Sequence, residues 1–446
     1  MNKIKLALAV SITVITIIWL LTNTLLYIPF DSNLFTKSLD QYTGIIAFSA
    51  MTFSMLLATR PLWIEKRLGG LDKTYRLHKW LGILAFSFSI MHWLVSKLPQ
   101  WWSHLDRLII LDAISGATED LTVEPGVFEK FLESLESTAL HVGEYAFYLT
   151  VLFLIMALLK KIPYRFFAKT HIAMAVIYLA LVFHSFALMY IDYWTEPIGI
   201  SMAIMMIAGT VSSFIVLLGQ VGKKRKSEGS IQSINTYPDM NMLELIVKSD
   251  KWKGHNEGQF AFLKFEKKEP HHPFTISSAW DKKTKNISFT IKALGGYTNN
   301  LANKLKIGDS IILEGAYGNF TFNDKKESQI WIAGGVGITP FLARMERLAQ
   351  VNNKQQIDFF YSAMKLDSNF KKKLEQVSAE ANINLHLFET SKSALISGEH
   401  IRNSVLNWKS ASVWFCGPSK MGKSIKKDFK RNGLHSKFHQ ELFEMR

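Results

Sequence analysis

The chain of 446 residues has one cysteine, Cys416, so it can build neither an internal disulfide framework nor a thiolate cage for zinc or an iron–sulfur cluster. It has only 11 prolines and 26 glycines beside 13% aromatic residues, which excludes a low-complexity or disordered chain. Charge is sparse, at 20% of residues, and unevenly placed. Residues 1–221 carry 16 Lys/Arg against 15 Asp/Glu, whereas residues 222–446 carry 36 against 22. Nearly all of the net charge of +15 therefore lies in the second half, which also lacks long apolar runs. Such a basic surplus suits nucleic acid, anionic lipid or phosphorylated small molecules. No aromatic-and-basic repeat or helix-turn-helix spacing supports nucleic acid. The length alone suggests two or three domains.

Long apolar runs are confined to the first half. Six of them, at about 6–26, 42–59, 77–95, 140–159, 171–190 and 198–219, approach or exceed the length that crosses a hydrocarbon core as a helix. Lys3 and Lys5 precede the first run as they would in a signal peptide. That run is over-long and lacks a small-residue cleavage site, so it reads as an uncleaved span. Basic residues gather before the first span, between 60 and 79, and between 160 and 169. The segment 96–139 has only Lys97, Arg107 and Lys130 against eight acidic residues. The positive-inside rule then puts both termini in the cytoplasm and the acidic loop outside, as in a multi-pass protein of a bacterial inner membrane. Lys223, Lys224, Arg225 and Lys226 follow the sixth span and read as a stop-transfer and anionic-lipid anchor.

Four of the 13 histidines lie in or at the ends of two spans that run in the same direction. His78 on the third span matches His171 on the fifth in depth, and His92 matches His184. Fourteen residues separate the first two, about 21 Å of rise and nearly whole turns, so both rings leave within about 40° of one face. Thirteen residues separate the other two, which an ideal helix places about 140° apart. The fifth span is therefore expected to rewind locally or to present its histidines to different sides. Neutral imidazoles suit iron, and two of them fill both axial positions of a haem. A lone intramembrane histidine is usually an interhelical hydrogen-bonding group, and two depth-matched pairs weigh against that reading. His141 has no depth partner and reads as structural or rim-facing. His104 in the outer loop reads as solvated.

Six spans with this histidine pattern resemble the ferric reductase-type transmembrane domain shared by NADPH oxidases and metalloreductases. The resemblance implies two stacked b-type haems, the inner on His78 and His171, the outer on His92 and His184.

In the second half, short apolar or alternating runs at 243–247, 260–265, 287–293 and 310–313 are separated by turns and read as a small antiparallel barrel. From residue 329, strands at 330–333, 357–361, 384–388 and 413–416 alternate with helices at 341–351, 370–381 and 419–432. That alternation is the pattern of a parallel nucleotide-binding α/β domain. Four motifs punctuate this half. His272, Pro273, Phe274, Thr275, Ile276, Ser277 and Ser278 place a flat surface beside hydroxyls suited to a flavin. The run from Gly295 to Leu301 is a turn into a short helix, able to offer N–H groups to a pyrophosphate. The run from Gly315 to Phe320 is a glycine turn. Gly334, Gly335, Val336, Gly337, Ile338, Thr339 and Pro340 follow a strand and open a helix, where glycines admit a dinucleotide. Each motif alone is also what an ordinary turn or strand end looks like.

Their order resembles the ferredoxin–NADP reductase module of the same flavocytochromes. The resemblance implies that His272, Pro273, Phe274 and Thr275 hold FAD, with Lys292 at its phosphates and Thr298 capping the pyrophosphate. It places NADPH, or NADH, on Gly334, Gly335, Gly337, Thr339 and Pro340. Cys416, Gly417 and Pro418 match the Cys-Gly element beside the nicotinamide, although Cys416 also reads as a small buried residue ending a strand. Phe443, before Met445, is implied as the aromatic over the flavin. Ala316 departs from a proline usual in the third motif, and Ser96 from a histidine found near the oxygen site of animal oxidases. Ser362 and Lys365 are the groups able to meet a 2′-phosphate.

The expected architecture is a six-helix transmembrane haem-binding bundle (1–221), an antiparallel β-barrel FAD domain (222–326) and an α/β Rossmann-like NAD(P)-binding domain (327–446). The expected activity carries electrons from cytoplasmic NAD(P)H through FAD and two haems to an outer acceptor. That acceptor is O2 in the first reading and a ferric or cupric ion in the second. A haem protein with a non-catalytic nucleotide sensor is the third reading, and two contiguous nucleotide motifs weigh against it. No obligatory protein partner is evident.

Overall fold

The computed structural model describes residues 2–22, 32–106, 126–159, 162, 164–266, 269–295, 297–324, 326–351, 353–392, 395–434 and 437–441. It divides into two compact units, one of residues 1–68 with 73–221, the other of residues 222–446 with 69–72.

The first unit is helical: α1 (Asn2–Thr22), α2 (Ser32–Ala58), α3 (Leu62–Leu68), α4 (Leu71–Asp106), α5 (Val127–Leu158), α6 (Tyr164–Leu188) and α7 (Pro197–Leu217). All but α3 are long and apolar enough to cross a membrane. Their outward side chains are apolar, as with Leu152 and Ile155 on α5 and Ile204 and Ile207 on α7, the arrangement a lipid solvent favours. Two elements differ from the sequence reading. With 36 and 32 residues, α4 and α5 overrun their apolar segments, because hydropathy marks only the part of a helix that lipid would cover. The segment 60–79 is largely helical, broken where Gly69 and Gly70 take φ of 87° and 128°. α2 packs on α1, α6 and α7 and buries Ile45, Ile46, Phe48 and Met51. The Tyr178 hydroxyl is 2.7 Å from Thr52 Oγ1, tying α6 to α2.

The second unit holds β1 (Lys226–Tyr237), β2 (Met242–Lys248), β3 (Phe260–Lys264), β4 (His272–Thr275), β5 (Asn286–Lys292), α8 (Leu301–Lys304) and β6 (Ser310–Tyr317). These strands form one antiparallel sheet ordered β4-β3-β6-β1-β2-β5 over a core that includes Leu245, Phe289 and Leu313. Just past β4, Ile276 bridges to Phe289 of β5, and Ser277 N–H donates to Ser288 O at 2.8 Å. There follow β7 (Ser328–Gly334), α9 (Thr339–Gln350), β8 (Gln356–Ala363), α10 (Ser368–Glu380), β9 (Asn384–Glu389), α11 (Gly398–Ser404), β10 (Ser412–Cys416), α12 (Ser419–Arg431) and β11 (Phe438–Glu441). Their strands make a parallel sheet ordered β11-β10-β7-β8-β9, with apolar clusters around Trp331 and Phe341 and around Phe360 and Phe415.

The basic run after α7 is not wholly a lipid anchor. The register of β1 on β6 sets Lys226 opposite Glu314. Lys226 Nζ lies 3.9 Å from the buried Glu314 carboxylate. Arg225 donates to the Ala316 carbonyl at 2.8 Å with its guanidinium 4.7 Å over the Tyr317 ring. Lys223 and Lys224 are the two left exposed.

Candidate functional site

In the helical unit the four histidines meet as two pairs. His78 and His171 face each other with ring centres 5.7 Å apart, His92 and His184 with ring centres 6.3 Å apart. α6 runs unbroken through both of its histidines, so no local rewinding occurs. Its rings instead leave from different sides: His184 turns to α5, where its Nδ1 donates to Ala139 O at 2.9 Å, while His171 packs on the Phe167 ring at 5.1 Å. His78 Nδ1 donates to Ser54 O at 3.0 Å and His92 Nδ1 to Asp40 O at 3.0 Å. With Nδ1 committed as donor, Nε2 keeps the lone pair that binds a metal.

A metal between two imidazoles, at about 2 Å from each nitrogen, requires ring centres roughly 6 Å apart. Both separations fit. Small residues clear the surroundings as well. A Cβ on Gly143 would stand 2.1 Å from His184 Nδ1, and one on Gly44 would stand 3.2 Å from His92 Cε1. Gly82, one turn past His78, has nothing within 4 Å of its Cβ position and lines a cavity of about 120 Å3 with His78, His171, Met51 and Tyr178. Apolar walls, paired imidazoles and the open space at Gly82 fit a flat macrocycle held between facing rings. Among the described residues no cluster of three or more His, Cys, Asp or Glu offers another metal site.

In the second unit, His272, Pro273 and Phe274 are half-buried on the end strand β4, and Thr275 is buried. The His272 ring stacks on Tyr297 with centres 4.3 Å apart, and burial lowers its pKa, so it is neutral near pH 7. The Tyr297 hydroxyl is buried without a hydrogen-bond partner among the described residues, an orphaned polar atom beside the flavin motif. Thr298 Oγ1 accepts from Leu294 N–H at 3.0 Å and is 3.3 Å from Gly295 O, so it closes its own turn. Lys292 ends β5, and its Nζ lies 3.8 Å from where a Cβ on Gly335 would start, bringing a cation to the glycine loop.

That loop is built by close approach of two backbones. A Cβ on Gly337 would stand 2.3 Å from Cys416 O, one on Gly417 2.9 Å from Gly334 N, and one on Gly334 2.7 Å from Pro418 Cδ. Gly334, Gly337, Thr339 and Pro340 are buried, Thr339 donating to Val336 O at 3.1 Å. Only Gly335, at φ 57°, and Val336 of this turn are half-exposed. The loop lies where β7 and β10 end, the end of a parallel sheet that receives nucleotides. Asp239 engages Lys365, and Ser362 is buried. A polar cavity of about 370 Å3 near Glu257, Asp324, Arg344 and Gln355 lies at the opposite, N-terminal end of these strands.

The antiparallel sheet and the α/β sheet are strapped together. Glu257 pairs with Arg344 at 3.4 Å and Arg347 at 3.0 Å, and Glu244 engages Lys373. Ala279 N–H donates to Glu346 at 3.0 Å, a carboxyl whose pKa burial raises.

Cys416 is fully buried, and burial, then Glu441, pushes its thiol pKa well above the usual value. It therefore packs as a neutral group at the end of β10. A disulfide reagent should label the native chain roughly a hundredfold more slowly than the unfolded chain, since only thiolate reacts. Absorbance of released thiolate measures this. Phe443 and Met445 lie outside the described residues. Asp40, Gly44 and Gly143 join the site from outside the motifs of the sequence, where an acid and two glycines beside or within apolar spans are the signals that mark them.

Three sequence families match consecutive parts of the chain. Residues 43–182 match "Ferric reductase like transmembrane component", 227–339 an FAD-binding domain and 331–427 an oxidoreductase NAD-binding domain. Among curated proteins, ferric reductase transmembrane component 6 of Saccharomyces cerevisiae is 22% identical across 85% of this chain and 51% of its own length. The toluate 1,2-dioxygenase electron transfer component of Pseudomonas putida is 24% identical over 42% of this chain and 58% of its own. Ferric reduction oxidase 8 of Arabidopsis thaliana is 30% identical over 28% and 19% respectively. The chain thus spans about a fifth to three-fifths of these relatives. The FAD/NAD-binding domain of a nitric oxide dioxygenase from Vibrio cholerae matches 49% of this chain and 98% of its own, at 17% identity and TM-score 0.44.

Proposed function

Because the chain belongs to the ferric reductase-like transmembrane proteins fused to FAD-binding and NAD-binding oxidoreductase domains, we propose that it moves electrons from NAD(P)H across a membrane to an acceptor on the far face. The observation that carries this reading is the pair of facing imidazoles repeated at two depths, with ring separations of 5.7 and 6.3 Å. His78 with His171 and His92 with His184 would each hold one b-type haem. Bound FAD would supply the chemistry that passes a hydride's two electrons on singly, and haem held by the paired histidines would supply a one-electron carrier. His272, Pro273, Phe274 and Thr275 would seat the flavin, Tyr297 would donate its orphaned hydroxyl, and Lys292 would neutralise phosphate. Gly335 and Val336 present the surface for the dinucleotide, and the close-packed Gly334, Gly337, Gly417 and Pro418 hold that surface in shape. The proposed division is 222–326 for the flavin lobe and 327–446 for the NAD(P)H lobe, with the NAD(P)H side cytoplasmic.

Were both imidazoles of a pair to hold one iron, no coordination position would be left for the acceptor, which would then be reduced at the outer group's edge. A ferric chelate is the acceptor suggested by the names of the yeast and Arabidopsis relatives. Dioxygen is the second reading, since an edge transfer needs no binding pocket. The test is the visible spectrum of the purified chain before and after NADPH or NADH. Reducible b-type bands at two haems per chain are expected, and their absence refutes the reading. Ferric-chelate reduction compared with superoxide-dismutase-sensitive dye reduction then separates the acceptors.

A further inference from the structure

Asp40 sits within the α2 span at Phe35–Ala58, where an ionisable side chain needs a reason. Its carbonyl accepts the His92 Nδ1–H at 3.0 Å, and its carboxylate Oδ1 lies 3.1 Å from the same nitrogen. That Oδ1 is fully buried and forms no hydrogen bond of good geometry among the described residues. A buried carboxylate oxygen is costly to leave so, and the group it stands beside is the His92 Nδ1–H. The other rings have neutral neighbours: Ser54 O for His78, Ala139 O for His184 and the Phe167 ring for His171. Of the four, His92 alone has a carboxylate within ion-pair distance among the described residues.

We infer that Asp40 is a positioning residue that lowers the reduction potential of the outer redox centre and leaves the inner one unaltered. This rests on the haem reading above. A carboxylate beside the ligand's N–H raises the basicity of the imidazole and favours the more positive, ferric state of iron. The effect acts at short range, because the carboxylate Oδ1 stands 3.1 Å from the ring nitrogen of the ligand. The reduction itself is one electron added to ferric iron to give ferrous iron. Asp40 neither gains nor loses electrons; it weights the two states.

The experiment is a spectroscopic redox titration of the purified full-length chain, following the b-type bands. The component that disappears in His92→Leu is the outer one. In Asp40→Asn that component should titrate higher, its ferrous-to-ferric ratio at fixed potential rising at least about tenfold, equivalent to ~59 mV for one electron. The inner component should stay in place, and Asp40→Glu, which keeps the charge, should restore the outer one to near its original position. An unshifted outer component in Asp40→Asn overturns the inference while leaving the haem reading intact. Equal shifts in Asp40→Asn and Asp40→Glu also overturn it, because packing and not charge would then be responsible. If Asp40→Asn fails to keep the outer component, Asp40→Ser supplies the neutral comparison with Asp40→Glu. Absence of any b-type band in the unmodified chain refutes the haem reading, and this inference with it.

Discussion

Replacing His92 with leucine is expected to halve the haem content per chain and to cut reduction of an external acceptor by at least about a hundredfold. Reduction of bound flavin by NADPH should stay within about twofold of the original rate. The first effect follows because the removed ring is one of two whose centres lie 6.3 Å apart, and in the proposed haem site its loss would leave His184 with no opposite ligand. Losing even an outer-shell partner typically costs about 10–100-fold in metal affinity, so losing the ligand should cost more. The second follows because His92 is in the helical unit, whereas the flavin and dinucleotide motifs are in the other. Pyridine haemochrome content, stopped-flow flavin absorbance and ferric-chelate reduction read the three quantities separately. His78→Leu should break the same relay at its inner station. Equal loss of flavin reduction in His92→Leu would indicate misfolding and would remove the assignment.

The second large effect concerns backbone packing. Gly337→Val should destabilise the reductase unit by about 3 kcal/mol, at the upper end of overpacking penalties. The obstruction is the carbonyl of Cys416, 2.3 Å from the new Cβ, with its carbon at 2.6 Å and Gly417 N at 2.9 Å. These are main-chain atoms held by the β10–β7 ladder and cannot rotate away. For a unit of this size the shift corresponds to about 6–12 °C in Tm. The fluorescence of released flavin on heating would report it. Gly295→Ala is the control: nothing lies within 4 Å of its Cβ position, so it should change Tm by less than about 2 °C. A Gly337→Val chain that melts with the unmodified protein would show that the loop can open.

How much of this was legible depends on what each residue leaves in the sequence. Buried strands such as β2, β7 and β10 announce themselves as apolar runs, since both of their faces are covered. β1 does not: its Lys-Ser-Glu-Gly start buries Ser227, Ile231 and Tyr237 at irregular intervals, and its place between β6 and β2 is set by those partners. α11 has seven residues, too short for a helical period, and β11 has four. The histidine pairs were readable because depth is proportional to residue number in a helix. Their surroundings were not. Asp40 falls just outside the apolar run at 42–59, because an acid ends such a run by definition, and only the packing of α4 on α2 gives it a partner. Gly143 looks neutral in an apolar segment, and the 2.1 Å approach of His184 is a tertiary fact. For the glycine loop the sequence named the residues, and the structure adds how each of them packs. Gly334 and Gly337 clear space for the chain itself, and Gly335 is the one that faces outward.

The fully buried Cys416 has a practical corollary for topology mapping. Since it is the sole thiol in 446 residues and is shielded in the folded state, the native chain is silent toward membrane-impermeant maleimides. Any cysteine placed at an exposed position, such as Lys223 or Val127, becomes a unique reporter without prior removal of a background thiol. Labelling intact cells against inverted vesicles would then assign each helix end to a side of the bilayer.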